Sequence, residues 1–103
     1  MKISIEDYYN IPQVQRNGIY EVENKGTIYY VNGKIHREDG SGREYIDGHK
    51  EWWVNDKYHR LDGPAVEWND GHVEYWIEDK QYDTKEEFET AAYIYKNGLQ
   101  DYL

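Results

Sequence analysis

Residues 29–42 read Y-Y-V-N-G-K-I-H-R-E-D-G-S-G, and residues 52–65 read W-W-V-N-D-K-Y-H-R-L-D-G-P-A. At an offset of 23, 7 of these 14 positions are identical, and two more are aromatic in both copies. The period continues beyond each block. Residues 44–53, E-Y-I-D-G-H-K-E-W-W, match 67–76, E-W-N-D-G-H-V-E-Y-W, at 6 of 10 positions. A third copy opens at Tyr75-Trp76-Ile77-Glu78-Asp79-Lys80 and then decays. A fixed period of this length is the mark of a repeat architecture.

Each unit carries two turn signals. Asn32-Gly33 and its counterpart Asn55-Asp56 suit a tight hairpin whose central residues need positive φ, and Asp47-Gly48 and Asp70-Gly71 supply the second turn. The segments between them are rich in Tyr, Trp, Val and Ile and read as short strands. Two strands and two turns per unit predict a mainly β fold, a single-layer antiparallel meander of 23-residue hairpin repeats. Gly18 to Tyr30, with a turn at Asn24-Lys25-Gly26, reads as a degenerate leading unit. The period changes after residue 83. Thr84 with Glu87 forms a capping box, Phe88, Ala91, Ala92 and Tyr95 follow at helical spacing, and Asn97-Gly98 is a stop signal. These predict a C-terminal α-helix over about 85–96, lying on one sheet face or closing the sheet's end. The chain is expected to form a single domain over 1–103, with an N-terminal segment (1–19), β repeats (20–83) and a C-terminal helix and tail (84–103).

Composition alone points the other way. Leu, Ile, Val and Phe number only 19 of 103 residues and the formal charge is −9, a pattern typical of disordered chains. The repeat resolves this. There are 12 Tyr and 4 Trp, and each aromatic ring buries roughly 150–250 Å², so rings supply the core that aliphatics do not. The charge also divides: residues 29–63 are nearly neutral at −1, and the remainder carries −8.

Several function classes fall away. No stretch approaches the ~20 apolar residues of a membrane span, and the N-terminus lacks the apolar centre of a signal peptide. The absence of cysteine suits a reducing cytoplasm, and the acidic balance argues against direct nucleic-acid binding through a basic face. No catalytic residue is expected. Ser4 and Ser41 lack a nucleophile-elbow context, and the carboxylates follow the repeat with no isolated pair in divergent surroundings. No metal site or cofactor is expected. Equivalent histidines, His36 and His59 or His49 and His72, lie two strands apart, about 10 Å, too far to share a zinc ion. Each His and Asp is instead expected to tie down its own turn, and Arg37–Asp39 and Arg60–Asp62 to form intra-repeat salt bridges.

The aromatic pairs Tyr29-Tyr30, Trp52-Trp53 and Tyr75-Trp76 recur in register, and strand alternation puts one ring of each pair on each face. One face is free to pack on the helix. The other carries a ladder of rings, which is cross-strand packing alone, a partner interface, or a stacking platform for bases or a planar ligand.

At His36-Arg37-Glu38-Asp39-Gly40 and His59-Arg60-Leu61-Asp62-Gly63-Pro64-Ala65 the chain resembles the MORN-like repeat proteins. The similarity is to their short phage type, built on W-Y-x-N-G-K-x-H-R-x-D-G-P-A units, and it covers roughly residues 20–90. It implies a repeat scaffold acting by binding, not as an enzyme. It further implies an accessory protein of the host-cell cytoplasm that counters host defence by sequestering a nucleotide immune signal of the cyclic oligonucleotide or cyclic ADP-ribose type. Under that reading Tyr30, Trp52, Trp53 and Trp76 are the candidate stacking residues and Arg37 and Arg60 the candidate phosphate ligands. An exposed aromatic face would also favour a homo-oligomer. The alternative is an acidic inhibitor that binds a host defence or nucleic-acid-binding protein directly, through flanking carboxylates such as Glu67, Glu74, Glu78 and Asp79.

Overall fold

The computed structural model describes residues 1–99 and 101; the rest of the C-terminal tail lies outside the described residues. The chain opens with β1 (Lys2–Ile3), α1 (Ile5–Asn10) and a 3-10 turn at Gln13–Gln15, then runs through β2 (Gly18–Val22), β3 (Gly26–Val31) and β4 (Lys34–Ile35). Strands β5 (Arg43–Tyr45), β6 (Lys50–Glu51), β7 (Trp53–Val54) and β8 (Lys57–Tyr58) follow. Last come β9 (Val66–Glu67), β10 (Val73–Ile77), β11 (Lys80–Tyr82) and α2 (Lys85–Lys96). The main sheet runs β1-β2-β3-β5-β6-β9-β10-β11, with β4 beside β3, while β7 and β8 form a separate pair. All the pairings are antiparallel except β1–β2. The molecule measures 45 × 30 × 18 Å, a thin slab that suits one sheet layer with local helical cover.

The meander of hairpin repeats and the C-terminal helix are both present. In each unit one long strand divides its pairing. The first half of β3 bonds β5 and its second half bonds β4; β10 does the same with β9 and β11. In the middle unit the break falls at Trp52, so β6 stays in the main sheet and β7 folds away with β8. The turns Asn32-Gly33, Asn55-Asp56 and Glu78-Asp79 hold both central residues at φ between 46 and 83°, the geometry that matches strand twist in a two-residue hairpin.

Successive units are joined by one recurring set of hydrogen bonds. The N–H of Asn55 donates to His36 Nδ1 (3.0 Å), and that of Asp56 to Ile35 O (2.9 Å). The Asp56 carboxylate accepts in turn from Ile35 N (2.7 Å). One repeat later, Glu78 N donates to His59 Nδ1 (3.1 Å), Asp79 N to Tyr58 O (2.9 Å), and Tyr58 N to Asp79 Oδ1 (2.7 Å). This corrects the expectation that each His and Asp ties down its own turn. His36 and His59 hold the turn of the following unit, and Asp56 and Asp79 reach back to the preceding one. Asp47 and Asp70 do act locally, accepting from His49 N and His72 N.

The N-terminal segment, which lies outside the repeat, completes the same joint for the first unit. Asn32 N donates to Asn17 Oδ1 (3.1 Å) and Gly33 N to Arg16 O (2.8 Å). Arg16-Asn17 therefore stands where Ile35-His36 and Tyr58-His59 stand later. A Cβ on Gly33 would lie 2.8 Å from Val14 Cα, so this turn keeps glycine where later turns carry Asp. Short helix α1 is started by Ser4, whose side chain accepts from Asp7 N. It delivers Tyr8 into a core with Tyr20, Val22, Ile28, Tyr30 and Ile35. The buried guanidinium of Arg16 is held by the Tyr8 and Tyr30 hydroxyls (3.1 and 3.0 Å) and the Ile11 and Tyr8 carbonyls, as burial of a charge demands.

Helix α2 covers the other face, the one that carries Tyr75, at the far end of the sheet. Thr84 caps it by accepting from Glu87 N, and Phe88, Ala91 and Ala92 pack with Ile77, Tyr75 and Tyr82. Opposite, the rings of Trp53, Tyr58 and Trp76 follow one another at 4.3 and 5.1 Å between centroids.

Candidate functional site

The H-R-x-D-G element of each unit builds a compact rivet. Arg37 lays its guanidinium over the Tyr29 ring (4.1 Å to the centroid) and donates from Nη1 to Ser41 O (3.2 Å). Arg60 lies over Trp52 (3.9 Å) and donates from Nη1 to Pro64 O (3.0 Å) and to Glu67 (3.2 Å). The glycine of each element is there because the guanidinium needs its space. A Cβ on Gly40 would come 2.8 Å from Arg37 Cζ, and one on Gly63 3.2 Å from Arg60 Cζ. Cation and ring attract through the ring quadrupole, so the strand, the arginine and the loop are fastened together at one point.

The expected salt bridges divide. Arg37 Nε meets Asp39 Oδ1 at 2.9 Å, and this bond pushes the guanidinium pKa up and the Asp39 carboxyl pKa down. Arg60 does not repeat the pairing. Its carboxylate is Glu67, while Asp62 sits 3.5 Å from Lys96 Nζ of α2. The first unit has no helix beside its loop, so equivalent aspartates have different neighbours.

Between the two loops lies a groove of about 610 Å³, within the range of about 300–1,000 Å³ typical of small-molecule sites. Its walls are Arg37 to Gly40, Trp52, Val54, His59 to Asp62, and Lys96. The structure thus brings together Arg37, Trp52 and Arg60 of the predicted set. Three cations, Arg37, Arg60 and Lys96, face three carboxylates, Glu38, Asp39 and Asp62. Arg37 donates from Nε and Nη1, and Arg60 from Nη1. Burial lowers the pKa of His59, partly offset by Glu78, which keeps Nδ1 an acceptor for the Glu78 N–H.

The other predicted residues lie elsewhere. Tyr30 is 4 % exposed, in the N-terminal core, with its hydroxyl bonded to Tyr8 and Arg16. Trp53 and Trp76 line the opposite face, and their indole N–H groups donate to Glu51 and Glu74. Lys96 is the groove residue that sequence reasoning missed. Nothing in the repeat marks it, because the packing of α2 puts it there.

The carboxylates of the acidic flanks also make contacts within the chain. Glu67 pairs with Arg60, Glu74 accepts from Trp68 and Trp76, and Asp79 accepts from Tyr58 N. Glu78 is hydrogen-bonded by Tyr95, whose phenol is held above its usual pKa by burial and then by that bond. No group of three or more metal-ligating side chains occurs among the described residues, and no helix there is long and apolar enough to cross a membrane. No protein-family model matches the chain, and neither the curated proteins nor the solved structures yield a significant match.

Proposed function

We propose that this chain is a MORN-like repeat protein of the short phage type and a non-enzymatic binding module that sequesters a nucleotide immune signal in the groove between its two H-R-x-D-G loops. The observation that carries this reading is the convergence of Arg37, Arg60 and Lys96 around the Trp52 edge in one groove. Guanidinium and ammonium groups suit phosphate. The carboxylates of Glu38, Asp39 and Asp62 suit the amino and imino donors on base edges. A ligand that carries both, as purine nucleotides do, complements a groove whose own charges balance. The alternative reading is direct inhibition of a host defence or nucleic-acid-binding protein through the acidic flanks, of which Glu67, Glu74, Glu78 and Asp79 also bond within the chain.

The test is thermal stabilisation by a panel of mononucleotides, cyclic oligonucleotides and cyclic ADP-ribose isomers. A ligand at a hundredfold excess over its dissociation constant stabilises by about 2.7 kcal/mol, a rise of order 10 °C in a domain of this size. The shift should vanish in Trp52→Leu and Arg37→Gln variants, each compared with its own ligand-free midpoint. No shift across the panel refutes the reading.

A further inference from the structure

A second cavity of about 540 Å³ lies between the Leu61–Pro64 loop and α2, floored by Tyr75 and Phe88 and walled by Tyr93 and Lys96. It meets the first groove along a common wall. Leu61, Asp62 and Lys96 line both. The two cells also differ in kind. The first holds the two guanidiniums, and the second is mostly aromatic and aliphatic, with Lys85, Glu89 and Lys96 at its rim. The partition between them is Leu61 and an exposed ion pair, Asp62–Lys96, with side chains 83 % and 49 % accessible. Such an exposed pair contributes little to stability and opens at little cost.

Resting on the nucleotide reading above, we infer that the ligand is a dinucleotide, two bases bridged by phosphate, that occupies both cells, with Lys96 as the contact for a bridging phosphate. Each cell falls within the size of a complete small-molecule site, so a mononucleotide leaves one of them empty. A base in the second cell lies against the 64 %-exposed Tyr93 ring, and aromatic rings favour stacking on any base. The bridging phosphate draws Lys96 away from Asp62 and frees that carboxylate to accept from a base amino group. Lys96 sits in the last turn of α2, where the helix dipole is negative. The ammonium offsets that end of the dipole for a bound phosphate, so the bridging contact leans on this lysine.

The experiment is isothermal titration of the full chain with cyclic di-GMP and, separately, with 3′,5′-cyclic GMP. The dinucleotide should bind at least tenfold more tightly. In Tyr93→Ala that ratio should collapse to within twofold, while cyclic GMP affinity and the thermal midpoint stay near wild type; in Lys96→Ala, which also removes a cation of the first groove, both affinities should fall and the ratio should drop to within twofold. If both ligands bind wild type equally, or if neither variant lowers the ratio, the two-cell inference is overturned and the nucleotide reading stands. If neither ligand binds, and the wider panel also fails, both fall together.

Discussion

Replacing Asp56 with glycine sets two effects of opposite sign against each other. The turn Asn55-Asp56 holds both residues at positive φ, 51 and 64°. Considered as a hairpin alone, Asp56→Gly creates Asn-Gly, the preferred pair for this turn, and relieves a left-handed residue by at most about 1 kcal/mol. Considered as a joint, it deletes the carboxylate that accepts from Ile35 N at 2.7 Å. Ile35 is 8 % exposed, so its N–H loses a charge-assisted bond with little water to replace it, a loss of about 1.5–3 kcal/mol. The joint outweighs the turn, and the variant should be less stable by about 1–2 kcal/mol, a midpoint lower by roughly 5–10 °C. Asp56→Asn keeps both an acceptor and a tolerance of positive φ, and should stay within about 1 kcal/mol of wild type. Urea denaturation followed by tryptophan fluorescence and far-ultraviolet circular dichroism measures all three. Equal or greater stability of Asp56→Gly would show that Asp56 does not fasten neighbouring units.

Further outcomes follow from the same contacts. Gly40→Ala and Gly63→Ala should each cost about 1 kcal/mol as the guanidinium is lifted from Tyr29 or Trp52, and Gly63→Ala should also change Trp52 emission; unchanged melting in both would refute the rivet. Arg16→Met should cost about 2–3 kcal/mol, because the Ile11 and Tyr8 carbonyls and the paired tyrosine hydroxyls lose their common donor; a neutral result would mean those groups find other partners. The pKa of His59 is lowered by burial, so the unfolded chain takes up its proton first, near pH 6.5. Its contribution is therefore fully present above that pH and declines as pH falls toward the folded-state value. His59→Asn, which places at the second joint the acceptor type that Asn17 supplies at the N-terminal one, should flatten that part of the urea-midpoint profile between pH 5 and 8. An unaltered slope would remove His59 from the account.

The features legible in the sequence were those encoded within a few residues. Thr84 and Glu87 marked the start of α2, Phe88, Ala91 and Ala92 its buried side, and the Asn and Asp pairs the turns, because capping, periodicity and positive φ are local matters. The offset of 23 carried the strand order. What escaped was set by neighbours distant in sequence. The six-residue α1 begins with Ser4 and Asp7, a signal too short to stand out, and its worth lies in carrying Tyr8 onto Tyr20 and Tyr30. His36 and His59 hold not their own turns but turns 19 residues on. Of the two recurring pairs only Arg37–Asp39 forms; Arg60 meets Glu67, and Asp62 meets Lys96, which stands beside only one of the two loops. The candidate groove was half visible for the same reason: Arg37, Trp52 and Arg60 recur with the period, whereas Lys96 arrives by packing.

Comparison of the three units along one face explains why the groove lies where it does. Tyr29 is covered by Arg37, Trp52 by Arg60, and Tyr75, one period later, by the ring of Phe88 at 4.7 Å. The helix thus takes the seat that an arginine would fill in a third complete unit. An arginine over a ring leaves a charged edge beside the loop, and a phenylalanine leaves none. Cationic walls on both sides occur only where two arginine-bearing loops are consecutive, and the chain has one such place. Beyond it α2 substitutes an aromatic floor and returns one positive charge, Lys96, at its last turn. The decay of the third repeat, at first sight a mere fading of the pattern, is what turns an open row of like grooves into one polar cell joined to one apolar cell.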